Sequence, residues 1–113
     1  MTDFLIVDDH PMVRAALEAT LKGKYPDGAI HQANSLDAAA SSLAANPAIG
    51  IVLLDLNIPG AEGVSGLASL RASYPRVPVL VVSGFDAHRY QAEARAAGAA
   101  GFVSKAADSE KML

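Results

Sequence analysis

The sequence contains no cysteine and no tryptophan, and only 5% of its 113 residues are aromatic. The lack of cysteine excludes disulfide bonds and thiolate metal sites. Because aromatic residues are scarce while 51% of the chain is hydrophobic, we expect a core built from valine, leucine, isoleucine and alanine. This length and composition fit one domain with a single core.

Long apolar runs and an excess of basic charge are also missing. No run approaches the roughly 18 apolar residues of a membrane-spanning helix. The first ten residues, MTDFLIVDDH, carry acids where a signal peptide has a basic region. The net charge is −3 and there is no basic patch, so nothing in this segment itself indicates contact with nucleic acid. These absences favour a soluble, cytoplasmic domain without a membrane contact.

Strand-like and helical patterns alternate along the chain. Short apolar runs typical of strands lie at 3–7, 29–33, 50–55, 77–83 and 100–104. Helical patterns lie between and after them, at 11–25, 35–46, 62–74, 86–98 and 108–113. Ser35 or Asn34 is expected to cap the second helix, and Gly98 to close the fourth. This alternation predicts an α/β domain with a parallel sheet covered by helices on both faces.

The predicted domain occupies all of residues 1–113. Its last helix stops at Leu113 without a cap or a glycine. Either the domain was trimmed, or the native chain continues into another domain.

Polar side chains follow four of the predicted strands. Asp8 and Asp9 end the first strand, Asp55 ends the third, Ser83 the fourth, and Lys105 follows the fifth. Ligands of an open parallel sheet bind at the carboxyl ends of its strands, and the acids converge there if the strand order is 2-1-3-4-5. Converging carboxylates repel one another, and Mg²⁺ would offset that repulsion while binding a substrate phosphate. The pattern therefore predicts phosphoryl transfer with a carboxylate as the nucleophile.

Four segments, LIVDDHPMVR, VLLDLNIPG, VLVVSG and AGAAGFVSK, occur in this order over nearly the whole chain. Together they resemble the receiver domain of bacterial two-component response regulators. His10, Pro11 and Arg14, which follow the acid pair, are similar to the subclass that carries a C-terminal helix-turn-helix of the LuxR/NarL type. The resemblance implies a flavodoxin-like (βα)5 fold with a five-stranded parallel sheet in the order 2-1-3-4-5.

The resemblance also implies a role for each acid. Asp55 would be the phosphoacceptor. Asp9 and Asp55 would bind Mg²⁺ directly, together with the backbone carbonyl of Asn57, and Asp8 would act through a bound water. The alternative for the acid pair is that Asp8 and Asp9 cap the first helix.

Three further positions match residues that respond to the phosphoryl group in this family. Ser83 would turn its hydroxyl towards that group, and Lys105 would pair with one of its oxygens. Phe102 matches an aromatic switch position that swings inward when Ser83 moves. The alternative for Phe102 is a core phenylalanine without a switching role.

The function implied by the resemblance is a signalling switch and not a turnover enzyme. A sensor histidine kinase would donate the phosphoryl group, and the output would be transcription if a helix-turn-helix follows Leu113. DNA would then be bound through that effector domain. The sequence leaves open whether the domain forms a homodimer.

Two other functions share part of this residue pattern. A haloacid-dehalogenase-like phosphatase has a second acid two residues after its nucleophile, where this chain has Asn57. A receiver-like module that binds proteins without being phosphorylated is the stronger alternative, although the full set of acids and Lys105 argues against it.

One histidine and four arginines are predicted to have structural or solvent-exposed positions. His10 is interpreted as a first-turn residue near the site, in preference to a metal ligand or a phosphorelay histidine. The arginines are assigned to solvated helix faces, namely Arg14, Arg71, Arg89 and Arg95.

Overall fold

The strands of the chain form one parallel sheet in the order β2-β1-β3-β4-β5, as predicted. The computed structural model describes residues 3–55, 65–83 and 93–104. The strands are β1 (Asp3–Val7), β2 (Ile30–Ala33), β3 (Ile49–Leu54), β4 (Val79–Ser83) and β5 (Gly101–Ser104). The helices are α1 (Pro11–Lys24), α2 (Leu36–Ala45) and α3 (Ser65–Ser73), and residues 93–96 are also helical.

The predicted strand bounds differ from the observed ones by at most two residues. The first two helices agree to within one residue at each end. The predicted starts of the third and fourth helices, 62–64 and 86–92, lie outside the described residues, as does the predicted helix 108–113. The predicted and observed bounds agree because apolar runs mark the strands and capping residues mark the helix ends.

Helix α1 begins and ends where its sequence requires. His10 has the extended backbone of an N-cap, and proline occupies the first helical turn, where a missing N–H costs nothing. Leu17 and Leu21 are buried on one side of the helix. The helix ends at Tyr25, whose N–H donates to the carbonyl of Leu21. The direction of α1 thus places its N-terminus directly after the acids that end β1.

Helix α2 is capped by Ser35, one of the two predicted candidates. The Ser35 side chain accepts a hydrogen bond of 3.1 Å from the N–H of Ala38. Such a cap satisfies one of the N–H groups that have no partner inside the first helical turn. Ala39 and Leu43 then lie buried against the sheet.

Apolar side chains pack on both faces of the sheet, as the continuous apolar runs predicted. One face is covered by α2, α3 and the helical residues 93–96, and its buried side chains include Leu5, Val7, Leu54, Leu67, Val81 and Ala94. The other face is covered by α1, and its buried side chains among the described residues are Ile6, Leu17, Leu21, Leu53 and Val82. Since β1 and β3 are buried from both sides, the residues that follow them are held in place by the core.

Arg71 has a structural role, so its assignment to a solvated helix face was wrong. Its Nη1 donates to the carbonyls of Pro75 at 2.9 Å and Val77 at 3.3 Å. Its side chain also packs against Gly98, which has a φ of +100° and closes the helical residues before it as predicted. Arg71 therefore ties the end of α3 to that turn. Arg95 is exposed as expected, and Arg89 lies outside the described residues.

Within the part of the chain that the structure describes, no helix is both long enough and apolar enough to cross a membrane.

Candidate functional site

The register of the two central strands brings Asp8 and Asp55 together. Val7 of β1 pairs with Leu54 of β3, so the next residue of each strand lies at the carboxyl edge of the sheet. The N–H of Asp55 donates to the carbonyl of Val7 at 2.9 Å, and the N–H of Asp8 donates to the carbonyl of Ala33 at 3.0 Å. Both acids therefore occupy positions fixed by the sheet's own hydrogen bonds.

Both of these acids are buried, which is unusual for carboxylates. Asp8 is 1% exposed and Asp55 is 2% exposed. The Asp9 side chain is 30% exposed and lies at the mouth of the site. One ligand atom from each of Asp8, Asp9, His10 and Asp55 lies within 4.8 Å of the others. The predicted convergence of the three acids is therefore what the structure shows.

His10 lies inside this cluster. Its Nδ1 is 2.8 Å from Oδ1 of Asp8, 3.0 Å from Oδ1 of Asp9 and 4.0 Å from Oδ2 of Asp55. Its backbone N–H also donates to Oδ1 of Asp8 at 2.9 Å. The prediction that His10 belongs to the first turn near the site is correct in position, but it missed the contact of the imidazole with the acids. The clue in the sequence was its place directly after the acid pair.

Arg14 supports the site from α1, so its assignment to a solvated face was also wrong. The half-buried side chain donates from Nη1 to the backbone carbonyl of Asp8 at 2.7 Å. Its Nε donates to Oε1 of Gln32 on β2 at 3.0 Å. Arg14 thereby joins the β1–α1 connection to the edge strand. Sequence reasoning missed this role because Gln32 is 18 residues away along the chain.

The other predicted site residues are placed only in part. Ser83 ends β4 and pairs with Ser104 of β5, and Phe102 pairs with Val81. The backbone of Ser83 therefore lies at the carboxyl edge of the sheet, as predicted, while the side chains of Ser83 and Phe102 lie outside the described residues. Asn57 and Lys105 lie outside them as well. Their roles stay predictions.

The described acids form a suitable donor set for a divalent cation. Mg²⁺ prefers oxygen ligands and is usually bound by one or two carboxylates together with water and phosphate. The buried carboxylates of Asp8 and Asp55 and the partly exposed carboxylate of Asp9 supply the oxygen donors. A bound cation would also offset the repulsion between their negative charges. The site therefore fits Mg²⁺ by its chemistry.

Residues 4–113 match the family described as the response regulator receiver domain. The chain belongs to this family. The resemblance found in the sequence is thereby confirmed, and the flavodoxin-like fold with it. A receiver domain is the signalling module of a response regulator.

The relatives of this receiver domain include a glycerol metabolism activator and response regulators. The glycerol metabolism activator of Pseudomonas putida is 34% identical over 112 residues, which cover 99% of this chain and 51% of that relative. The response regulator UvrY of Escherichia coli (strain K12) is 27% identical over 113 residues, covering 100% of this chain and 51% of UvrY. The receiver domain thus spans about half the length of these relatives.

Solved structures show the same fold. A LuxR family DNA-binding response regulator from Silicibacter pomeroyi superposes with a TM-score of 0.84 at 30% identity, covering 99% of this chain and 85% of that one. A response regulator from Burkholderia pseudomallei, whose structure has a phosphorylated aspartic acid, a calcium ion and citrate, superposes with a TM-score of 0.83 at 26% identity. That match covers 100% of this chain and 65% of the Burkholderia chain.

Proposed function

We propose that Asp55 is the phosphoacceptor of this receiver domain. The single observation that supports it most strongly is the burial of Asp55, at 2% exposure, in a cluster with Asp8 and Asp9 at the carboxyl edge of the sheet. A carboxylate so placed is rigid, and its neighbours can bind a cation that accepts a phosphate oxygen. The phosphorylated aspartic acid in the Burkholderia response regulator agrees with this assignment.

The donor of the phosphoryl group would be a phosphohistidine of a sensor kinase. An oxygen of Asp55 would form a bond to phosphorus while the bond between phosphorus and the kinase's histidine nitrogen breaks, and the imidazole leaves. Mg²⁺ would be held by Asp9 and Asp55, with the carbonyl of Asn57, and by Asp8 through water. When bound, it would neutralise charge on the transferring group.

The proposed switch uses the residues at the ends of β4 and β5. Phosphorylation adds close to two negative charges and three acceptor oxygens to Asp55. Ser83 and Lys105 would each bond to these oxygens, and Phe102 would respond to the shift of Ser83. The domain would thus assist its own phosphorylation and dephosphorylation without being a turnover enzyme. The output would be transcription, through an effector domain that follows residue 113.

The test of this function is intact-mass spectrometry of the chain after incubation with acetyl phosphate and Mg²⁺. We expect the gain of one phosphoryl group, which does not occur when EDTA is present during the incubation and is absent from Asp55→Asn. Asp37→Asn is the matched control, because Asp37 is an exposed acid in the first turn of α2. If the folded wild-type chain gains no mass with Mg²⁺ present, the domain is instead a phosphorylation-independent interaction module.

A further inference from the structure

The imidazole of His10 is the one nitrogen donor among the described residues of the acid cluster. Its Nδ1 lies within hydrogen-bonding distance of two different carboxylates and 4.0 Å from Oδ2 of Asp55. The His10 side chain is 58% exposed, so the ring contacts the acids from the solvent side of the site. The cluster therefore offers a nitrogen ligand in addition to its carboxylate oxygens.

The position of the ring is set by its backbone. His10 is the N-cap of α1 and its carbonyl accepts from the N–H of Arg14 at 3.0 Å, which is the first hydrogen bond of the helix. Its own N–H donates to Oδ1 of Asp8. Pro11 also restricts the residue before it, His10, to the extended backbone that it has here. Both the start of α1 and the acid cluster therefore hold the imidazole in place.

Nδ1 lies close enough to the carboxylate oxygens for them to share one ion. Two neighbouring ligands at about 2.1 Å from a cation are roughly 3 Å apart. Nδ1 is 3.0 Å from Oδ1 of Asp9, which is proposed above to bind the ion directly. The 2.8 Å hydrogen bond between Nδ1 and Oδ1 of Asp8 would be given up when Nδ1 binds the ion.

We propose that His10 is a protein ligand of this metal site, and that it gives the site a preference for divalent transition ions that accept imidazole nitrogen. A neutral imidazole with its proton on Nε2 presents a lone pair at Nδ1. Imidazole suits ions such as Co²⁺, Ni²⁺ and Zn²⁺, whereas Mg²⁺ is bound mainly by oxygen. The inference rests on the proposed function only in taking the acid cluster as the metal site.

The experiment measures the binding of Mg²⁺ and of Co²⁺, each alone, to the purified chain by isothermal titration calorimetry. His10→Phe keeps a flat ring and removes both nitrogens. His31→Phe is the matched control, because His31 lies on β2 outside the cluster. We expect His10→Phe to weaken Co²⁺ binding by at least about tenfold and Mg²⁺ binding by a much smaller factor. The control should bind both ions as the wild type does.

A spectroscopic signature identifies the ligand directly. An imidazole bound to high-spin Co²⁺ gives a strongly shifted N–H proton resonance that is present in H₂O and absent in D₂O. We expect this resonance in the wild type and in His31→Phe, and its loss in His10→Phe. Circular dichroism confirms that each variant is folded.

Two results would overturn the proposal. One is the absence of the shifted resonance from the wild type, or its survival in His10→Phe. The other is an equal loss of Mg²⁺ and Co²⁺ affinity in His10→Phe, which would mean that the ring only supports the acids. Failure of the proposed function can be distinguished from failure of this inference. In that case the wild-type chain would not be phosphorylated by acetyl phosphate and Mg²⁺, and the result would not depend on how the chain binds Co²⁺.

Discussion

Arg14 donates a 2.7 Å hydrogen bond from Nη1 to the backbone carbonyl of Asp8. The same guanidinium donates from Nε to Gln32 on β2. A planar guanidinium can satisfy two acceptors in fixed directions at once, which an ammonium group cannot do as well. One side chain of α1 therefore fixes the peptide group that joins the two acids after β1.

The first prediction concerns this contact. Arg14→Lys keeps the positive charge but loses the planar guanidinium that donates to two acceptors. It should therefore lower the free energy of unfolding by about 1 kcal/mol. It should also weaken Mg²⁺ binding, because the Asp8–Asp9 peptide is no longer held. Urea denaturation and calorimetric titration with Mg²⁺ measure the two effects. Arg76→Lys, at an exposed turn residue, is the control and should change stability by less than about 0.5 kcal/mol. Equal effects in the two variants would show that the two hydrogen bonds of the Arg14 guanidinium contribute nothing specific to stability or Mg²⁺ binding.

The second prediction is that Mg²⁺ stabilises the fold through the acid cluster. At a concentration about 100 times its Kd, the ion should add about 2.7 kcal/mol to the free energy of unfolding, and EDTA should remove that gain. Asp55→Asn should lose most of the gain. In metal-free buffer the same variant should be more stable than the wild type, because it removes one of three like charges that lie close together. A variant that is less stable than the wild type without metal would contradict the predicted repulsion.

The third prediction separates two glycines by their backbone conformation. Gly98 has a φ of +100°, and a Cβ there would lie 3.1 Å from Nε of Arg71. Gly98→Ala should therefore destabilise the fold by about 1–2 kcal/mol. Gly23, within α1, has open space around its Cβ position, so Gly23→Ala should stabilise by about 0.5–1 kcal/mol. Thermal unfolding measures both variants, and a change of the same sign in both would contradict this assignment.

The fourth prediction concerns the pH dependence of a contact at the opposite end of β1. The hydrogen bond from His31 at 3.2 Å, and then the one from the N–H of Ala29, lower the pKa of Asp3 from its ordinary value of 3.8. Because this pKa is lower in the folded state, the stabilisation is complete above 3.8. It is lost as the pH falls through the folded-state value.

Asp3→Asn should therefore be less stable than the wild type at neutral pH, and the difference should narrow in acid. Denaturation curves of both proteins from about pH 5 to about pH 2 measure the difference. A difference that stays constant over this range would mean that the ionised carboxylate of Asp3 contributes nothing to the fold.

The strands, the helices and the residues that end them could be predicted from the sequence, because they depend on local patterns. The apolar run 50–55 and the run 3–7 each indicate a buried strand, and each ends in an acid. In a parallel sheet the carboxyl ends of neighbouring strands share one edge. The meeting of Asp8 and Asp55 could therefore be predicted once the resemblance to the receiver family implied that β1 lies beside β3. The cap at Ser35 and the closing turn at Gly98 were also readable, since each depends on one residue type at a helix end.

Which other side chains join the site depends on tertiary packing, and the sequence did not predict it. The contacts of His10 with the acids depend on the direction that its side chain takes at the start of α1. The bond from Arg14 to Gln32 and the packing of Arg71 against Gly98 depend on how elements that are separated in the chain pack together. Sequence periodicity gives only the face of a helix on which such a residue lies. The length of a cationic side chain lets it turn back to a carbonyl or a neighbouring turn, and only packing selects among those directions.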